Sequence, residues 1–167
     1  MNLKRFLQHV AIPGWVLRRP FPKSTLERID AAIRASESRH RAQLVFAIED
    51  ALEPGELFQS LTGTERAREV FARLGIWDTA ENCGILLYIL LADRDVEIVA
   101  DRGIHTKVGT TAWETICRTM ENFFREGRFE EGTLAGIAAI TNLLAREYPP
   151  DPSSPRNELP DRTVQLR

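Results

Sequence analysis

Six polar residues flank two consecutive apolar segments of this chain, and their types could support chemistry. They are Asp78, Glu81 and Asn82 before the first segment, and Asp101, Arg102 and His105 at the end of the second. If the two segments pair as a hairpin, its entry and exit meet and these side chains converge. Carboxylate and amide oxygens are the ligands that Ca²⁺ and Mg²⁺ prefer, so the three acidic residues and Asn82 predict a divalent-cation site. Arg102 and His105 would contact a phosphate group or a partner.

The same residues also have a structural explanation. Acidic residues are mostly exposed in folded proteins, so solvated loop carboxylates beside a strand pair would give this pattern. A capping or core role is the alternative for His105. The other two histidines, His9 and His40, lack the spacing of a metal site and are not paired in sequence with a nucleophile.

A second chemical pattern follows the first apolar segment. Asp93-Arg94-Asp95 has the carboxylate spacing that haloacid-dehalogenase phosphatases use for a nucleophile and an acid/base. That motif expects Thr or Val where Glu97 stands, and the chain runs straight into the next apolar segment. A tight turn is therefore the better interpretation. Phosphate-binding glycine loops, serine-hydrolase elbows and His-Glu-x-x-His motifs are also missing from the sequence.

Composition limits the class of protein. The 167 residues fit one domain, and the formal charge of -2 has both signs interspersed, which argues against a nucleic-acid partner. Cys83 and Cys117 lack the spacing of a disulfide framework or a zinc site, which favours a reducing, cytoplasmic location. The apolar run Ile85–Ala92 is too short to cross a bilayer, so we expect no membrane insertion.

The apolar segments predict a mixed sheet. Gln43–Ile48 and Gly84–Ala92 are typical of buried strands. A helix from about Thr64 to Gly75 lies between them, which favours a parallel, right-handed crossover. Asp95–Asp101 follows too closely on the second strand to pair with it in any way but antiparallel.

Three further helices are predicted from apolar residues at helical spacing. Their ranges are Ser24 to about Arg39, Thr111 to Gly127, and Glu130–Glu147. The first and second begin with apparent capping boxes, Ser24-Thr25-Leu26-Glu27 and Thr111-Ala112-Trp113-Glu114. The predicted fold class is therefore α/β: a three-layer α/β/α sandwich with a small mixed sheet that contains a β-hairpin.

The chain divides into three predicted regions. Residues 1–23 form an N-terminal arm, which Trp15, Leu17 and Phe21 would pack against the body, and residues 24–148 form the α/β/α domain. Residues 149–167 are rich in Pro, Ser and charged groups and have too few apolar side chains to offset the entropy of ordering. They predict a disordered tail.

The segment Ile76–Tyr88 is similar to the hallmark of the TPM domain family, also called YgcG-like: an Asp/Asn-Asn-Gly motif followed by a hydrophobic strand. Here the motif is represented by Asn82-Cys83-Gly84. The similarity extends over about residues 24–148. It includes Ala92-Asp93-Arg94, Ile98–Ile104, Phe124–Gly127, Phe129 and Gly132–Ile137.

The resemblance implies an α/β/α sandwich, which agrees with the predicted elements. Members of the family include thylakoid proteins linked to photosystem repair, an auxiliary protein of an acetylcholine receptor and bacterial proteins of unknown role. Acid phosphatase activity and divalent-cation binding are attributed to some of them. This chain resembles the short, soluble bacterial members. It departs from the pattern at Cys83, where Asn is common, and at Gly103-Ile104-His105, where many members have Glu in place of the histidine.

Two functions follow as hypotheses. The first is a non-catalytic binding or accessory domain that recognises a protein partner and helps to assemble, maintain or regulate a membrane-associated complex. The second is a weak acid phosphatase that depends on Ca²⁺ or Mg²⁺, with carboxylates holding the metal and Arg102 meeting the phosphate. The sequence identifies neither a catalytic residue nor the partner.

Overall fold

The computed structural model describes residues 3–153, 158–159 and 163–166, which contain eight helices and four strands. The helices are α1 (Leu3–Ala11), α2 (Gly14–Leu17), α3 (Lys23–Glu37), α4 (Pro54–Phe58), α5 (Gly63–Arg73), α6 (Arg102–Val108), α7 (Thr110–Arg125) and α8 (Phe129–Glu147). The strands are β1 (Gln43–Glu49), β2 (Gly84–Leu90), β3 (Asp95–Ala100) and β4 (Val164–Leu166).

The four strands form one mixed sheet in the order β3-β2-β1-β4. β1 and β2 are parallel, with Gln43 opposite Gly84 and Glu49 opposite Leu90. β3 returns antiparallel to β2, with Ile85 opposite Ala100. These are the pairings that the sequence predicts, and the three-layer α/β/α architecture is confirmed.

The side chains of the two central strands alternate between the two faces of the sheet, and both faces are covered by helices. Every residue of β1 and β2 is buried, and successive side chains point to opposite faces. Leu44, Phe46 and Ile85 belong to the core under α3, α7 and α8. Val45 and Leu86 belong to the core under α4 and α5.

Two helices begin at other residues than predicted, and the predicted hydroxyl groups therefore do not cap their first turns. Helix α3 begins at Lys23, directly after Pro22, and α7 begins after Gly109, so neither has a side-chain cap and both predicted capping boxes are wrong. A capping box forms instead at α5, where the backbone N–H of Glu65 donates to the Thr62 hydroxyl and the Thr62 N–H donates to the Glu65 carboxylate.

Four helices are absent from the sequence prediction: α1 and α2 in the N-terminal arm, and the short α4 and α6. Helix α4 begins at Pro54, because proline suits the first turn of a helix, where no N–H is needed. Helix α6 follows β3 at once, because the Asp101 carboxylate accepts the Arg102 N–H at 2.6 Å and caps it.

The N-terminal arm lies across the carboxyl end of the parallel strands. Asp93 accepts from Arg5 and is hydrogen-bonded to His9, each at 3.0 Å, and Asp50 accepts from Arg18 at 2.5 Å. Phe21 is buried as predicted, whereas the prediction that Trp15 packs inward is wrong, since 71% of its surface is exposed. Ion pairs, rather than the tryptophan, fix the arm.

The C-terminal segment contributes a strand where composition predicts disorder. Val164–Leu166 pair in parallel with Ala47–Glu49, and the Thr163 N–H donates to Asp30 at 2.8 Å. Three residues added to an open sheet edge gain backbone hydrogen bonds without an apolar run, and a composition rule does not detect them. The disorder prediction also covers residues 154–157, 160–162 and 167, which lie outside the described residues.

Candidate functional site

A cleft of about 690 Å³ lies where the loop before β2 meets the start of α6. It is lined by Trp77, Glu81, Asn82, Asp101, Arg102, Gly103, Thr106 and Lys107. Four of the six residues that the sequence singled out therefore meet, as hairpin pairing requires. Asp78 and His105 are not among its lining residues, and His105 instead lines a groove beside β3.

Backbone geometry explains the motif residues of this cleft. Asn82 has a φ of 52°, a left-handed conformation that asparagine tolerates better than most residues. A Cβ on Gly84 would lie 1.9 Å from the Ile76 carbonyl oxygen, and one on Gly103 would lie 2.6 Å from that of Asn82. Both glycines are therefore required by close backbone contact, and the motif builds the cleft whatever the cleft binds.

Cys83 points away from the cleft. Its Sγ lies 3.5 Å from the Arg41 carbonyl oxygen, its N–H donates to the Thr79 hydroxyl at 2.9 Å, and burial raises the pKa of the thiol. The side chain belongs to the core under α3, α7 and α8. The departure from asparagine at this position therefore changes the core and not the lining of the cleft.

The acidic side chains of the cleft are engaged to different degrees. Glu81 faces Arg41, with Oε2 and the guanidinium nitrogen 3.3 Å apart. Asp101 Oδ1 caps α6, but Asp101 Oδ2 is buried and has no hydrogen-bond partner among the described residues. A buried carboxylate oxygen without a partner is energetically costly, so Oδ2 would be stabilised by a hydrogen-bond donor or a cation.

Two cations line the same cleft. The Lys107 ammonium lies 4.3 Å from the ring centre of Tyr148, whose hydroxyl donates to the Gly103 carbonyl at 2.5 Å. No hydrogen bond or ion pair of the Arg102 guanidinium is found within the described ranges. The cleft is therefore mixed in charge. Of its two cations, Lys107 contacts the Tyr148 ring, and the Arg102 guanidinium is available to a ligand.

The donor set fits a resident divalent cation poorly. Ca²⁺ takes six to eight oxygen ligands, whereas the cleft brings together Glu81, Asn82 and Asp101, and Asp78 does not line it. Nowhere in the described part of the chain do three His, Cys, Asp or Glu side chains form a group that could hold a metal. Arg41 also already neutralises the Glu81 carboxylate.

Sequence reasoning missed a buried ionic network at the end of β1. Arg66 Nε and a second guanidinium nitrogen donate to the buried Glu49 carboxylate at 2.9 and 2.6 Å, and the Tyr88 hydroxyl also donates to it. Burial raises the pKa of Tyr88, and the carboxylate raises it further. A Glu that ends an otherwise apolar strand is the signal that could have drawn attention to it.

The groove beside β3 has a volume of about 730 Å³ and lies between α5 and α7. Burial raises the pKa of Glu97 against the opposing hydrogen bond from Thr64, and Asp95 and Glu121 raise it further. Burial also raises the pKa of Cys117 to about 12. The groove is lined by carboxylates and by Arg68 and Arg118, so its charge is mixed. The neutral Cys117 thiol within it is not a nucleophile at ordinary pH.

Comparison with known proteins agrees with this geometry. The sequence profile of the TPM domain matches residues 20–143. Among curated proteins, none matches the chain.

Two solved structures share the fold. The chain is 26% identical to the BA42 protein from the psychrophilic bacterium Bizionia argentinensis, with a TM-score of 0.73 over 86% of this chain and 94% of that one. It is 17% identical to the N-terminal domain of a protein from P. gingivalis, with a TM-score of 0.66 over 87% and 92% of the two chains. The second likeness concerns the fold alone. With the profile matching most of its length, the chain belongs to the TPM domain family.

Proposed function

We propose that this chain is a non-catalytic binding domain whose cleft between the Trp77–Asn82 loop and α6 recognises a protein partner. In this role it helps to assemble, maintain or regulate a membrane-associated complex. The observation that carries the proposal is an exposed aromatic side chain and an available cation on one cleft. Trp77 keeps 55% of its surface exposed, and the Arg102 guanidinium has no partner among the described residues.

Trp and Arg are the residue types that contribute most to the energy of protein interfaces. Tryptophan supplies a large apolar contact, and a guanidinium pairs with a carboxylate in two parallel hydrogen bonds. Neither advantage is used within the described part of the chain, because Trp77 does not pack in the core and the Arg102 guanidinium makes no ion pair with a described carboxylate. A partner segment with an acidic and an apolar side chain would satisfy both.

The remaining groups of the cleft favour binding over turnover. The Thr106 hydroxyl donates to the Arg102 carbonyl at 2.9 Å and is the only hydroxyl among the lining side chains described. No histidine lines the cleft to activate it, since His105 lies in the groove beside β3. An activated nucleophile needs a base within hydrogen-bond reach.

Partner capture followed by measurement with purified components tests this proposal. Proteins retained from host lysate by the wild type, but not by the Trp77→Ala/Arg102→Ala variant, are purified and titrated by calorimetry. Trp15→Ala/Arg19→Ala is the matched control, because it removes an exposed Trp and an exposed Arg, neither of which lines the cleft. We expect the cleft variant to weaken binding about tenfold or more and the control to leave it unchanged. Equal affinity of all three proteins would reject the cleft as the interface.

Asp101 favours a second candidate, the weak cation-dependent phosphatase. Its buried Oδ2, which has no partner among the described residues, would serve as one ligand of a cation that binds together with the substrate, and Arg102 would contact the phosphate. The test is hydrolysis of a phosphate monoester with and without Ca²⁺ or Mg²⁺, alongside NMR titration with each ion. Metal-dependent turnover lost in Asp101→Asn supports this candidate. Background turnover together with unchanged amide shifts at Glu81 and Asp101 rejects it.

A further inference from the structure

We propose that the N-terminal arm binds the surface of an anionic lipid bilayer, with α1 lying in the plane of the interface and Leu3, Leu7 and Val10 turned into the lipid. The proposal is independent of the cleft and of the function proposed for it. Residues 1–19 also precede the part of the chain that matches the TPM domain, so the element is a feature of this chain beyond the matched domain.

Helix α1 packs with its polar side inward. Arg5 donates to Asp93 and to the Leu61 carbonyl oxygen, both at 3.0 Å. The buried His9 is hydrogen-bonded to Asp93 through Nε2 and accepts the Leu52 N–H at Nδ1, at 2.9 Å. Helices of soluble proteins usually bury their apolar stripe and expose their polar one.

The apolar side of α1 faces out. Leu3, Leu7 and Val10 follow one another at helical spacing, and 67%, 53% and 50% of their surfaces are exposed. Trp15 is exposed just beyond the helix, and the exposed Phe58 contacts Phe6 with the ring centres 5.6 Å apart and the ring planes tilted by 50°. Within the described ranges, these are five of the six large apolar side chains that are exposed, and a patch of this kind marks an interaction surface.

Charge favours an anionic surface as the occupant. The first 26 residues contain five basic side chains and no acidic one, in a chain whose formal charge is -2. Arg5 and Arg18 hold the arm to Asp93 and Asp50. Arg19 and Lys23 are exposed, and Lys23 Nζ lies 3.7 Å from Glu27 in an exposed pair that contributes little. Apolar and aromatic side chains flanked by Lys and Arg are the composition of helices that lie at the membrane interface.

Area and shape favour a bilayer over a second copy of the chain. A stable protein interface buries about 800 Å² on each partner, whereas five partly exposed side chains offer on the order of a few hundred Å². A bilayer requires no complementary groove opposite a protruding helix. No helix in the described ranges is long and apolar enough to cross a membrane, so α1 would lie on the surface and not span it.

Sedimentation of the full chain with lipid vesicles tests the proposal. The vesicles are phosphatidylcholine alone, or phosphatidylcholine mixed with phosphatidylglycerol, each at low and high salt. We expect the wild type to bind the mixed vesicles, with binding that decreases in high salt and on the neutral vesicles. The Leu7→Glu/Val10→Glu variant should bind the mixed vesicles with an affinity lowered about tenfold or more, because both positions lose the favourable free energy of moving an apolar side chain into lipid.

Two tryptophan variants distinguish binding through the arm from nonspecific adsorption of exposed aromatic side chains to lipid. Trp15→Ser should reduce vesicle binding, whereas Trp77→Ser, which removes the exposed tryptophan of the cleft, should not. All of these positions are exposed, so thermal unfolding of each variant checks that the fold is kept. The proposal is overturned if the wild type does not sediment with mixed vesicles or if the arm variants bind as the wild type does. It is also overturned if the wild type is a dimer that Leu7→Glu/Val10→Glu makes monomeric without any vesicle binding.

Discussion

Gly103 packs directly on the backbone of Asn82, so closely that a Cβ on Gly103 would lie only 2.6 Å from the Asn82 carbonyl oxygen. This contact joins the loop before β2 to the first turn of α6, and so it closes one side of the cleft. Asn82 adopts its left-handed φ of 52° at the same point. The residue types at Asn82 and Gly103, which are part of the resemblance to the family, are therefore explained by the backbone conformation and packing of the cleft.

Substituting Gly103 with alanine tests this contact. The neighbouring atom is backbone and cannot swing aside, so we expect Gly103→Ala to lower the free energy of unfolding by about 1–3 kcal/mol. Urea denaturation followed by circular dichroism measures the change. Gly55→Ala is the control, since nothing lies within 4 Å of a Cβ at Gly55 and alanine favours the helix in which it lies. A loss in Gly103→Ala no larger than in Gly55→Ala would contradict the packing.

Burial and periodicity were enough to predict the first three strands of the sheet, β1 to β3, but not β4. The interior of β1 and all of β2 are apolar because helices cover both of their faces. Only the four residues 91–94 separate β2 from β3, which is too short for anything but antiparallel pairing. The same logic placed Glu81, Asn82 and Asp101 in one cleft. It also predicted Asp78 and His105 there, but the structure does not bring either to the cleft, because side-chain direction at loop and helix ends depends on local turns that periodicity does not report.

Long-range ion pairs were not predictable in this way. Asp93 was interpreted as part of a tight turn, yet it also anchors Arg5 and His9 from the far end of the chain. Such a pair joins residues with no sequence pattern in common, and many arrangements of surface charges are similar in energy. The docking of the arm therefore becomes visible only in the folded chain.

The buried network at the end of β1 should depend strongly on Arg66. Replacing it with methionine leaves the Glu49 carboxylate buried without a counter-ion, so we expect Arg66→Met to cost about 3–5 kcal/mol in the free energy of unfolding. Arg68→Met, an exposed position on the same helix, should change it by less than about 0.5 kcal/mol.

A triple variant distinguishes the lost pair from lost packing. Glu49→Leu/Arg66→Met/Tyr88→Phe removes the charge, its partner and the hydroxyl together, and we expect it to recover most of the stability lost in Arg66→Met. Urea denaturation at neutral pH measures all three proteins. If the triple variant is as unstable as Arg66→Met, the penalty comes from packing around the guanidinium and not from the unpaired carboxylate.

His40 should make the fold sensitive to mild acid. The ring is buried and its Nδ1–H donates to the Ala42 carbonyl at 3.1 Å, so Nε2 accepts the Ser36 hydroxyl proton at 2.7 Å. Burial lowers its pKa from 6.5 to about 4, against the opposing hydrogen bond to Ala42. The unfolded chain therefore binds a proton more readily than the folded one between these values, and stability decreases as the pH falls through that window.

The expected loss is about 3 kcal/mol between pH 6.5 and pH 4. Unfolding free energies measured across that range should show a smaller decrease in His40→Gln, which cannot take up the proton. His105→Gln, at an exposed position, should follow the wild type. Parallel curves for the wild type and His40→Gln would show that His40 titrates normally in the folded chain.

The groove beside β3 predicts a pH dependence of the opposite sign. The pKa of Glu97 is raised by burial and by Asp95 and Glu121, so the folded chain binds this proton more tightly than the unfolded one. The stabilisation is complete at low pH and is lost as the pH rises through the folded pKa. Glu97→Gln keeps an acceptor for the Thr64 hydroxyl without the charge, so it should be more stable than the wild type at pH 7 and lose that advantage in acid.

Thermal unfolding of the two proteins at pH 7 and at pH 4 measures this difference. Glu114→Gln is the control from the rim of the same groove, where the carboxylate is exposed and paired with Arg118 at 3.5 Å. Its effect should be small at both pH values, because exposed ion pairs contribute little. If Glu97→Gln is instead less stable than the wild type at pH 7, the Glu97 charge is satisfied by groups other than Thr64.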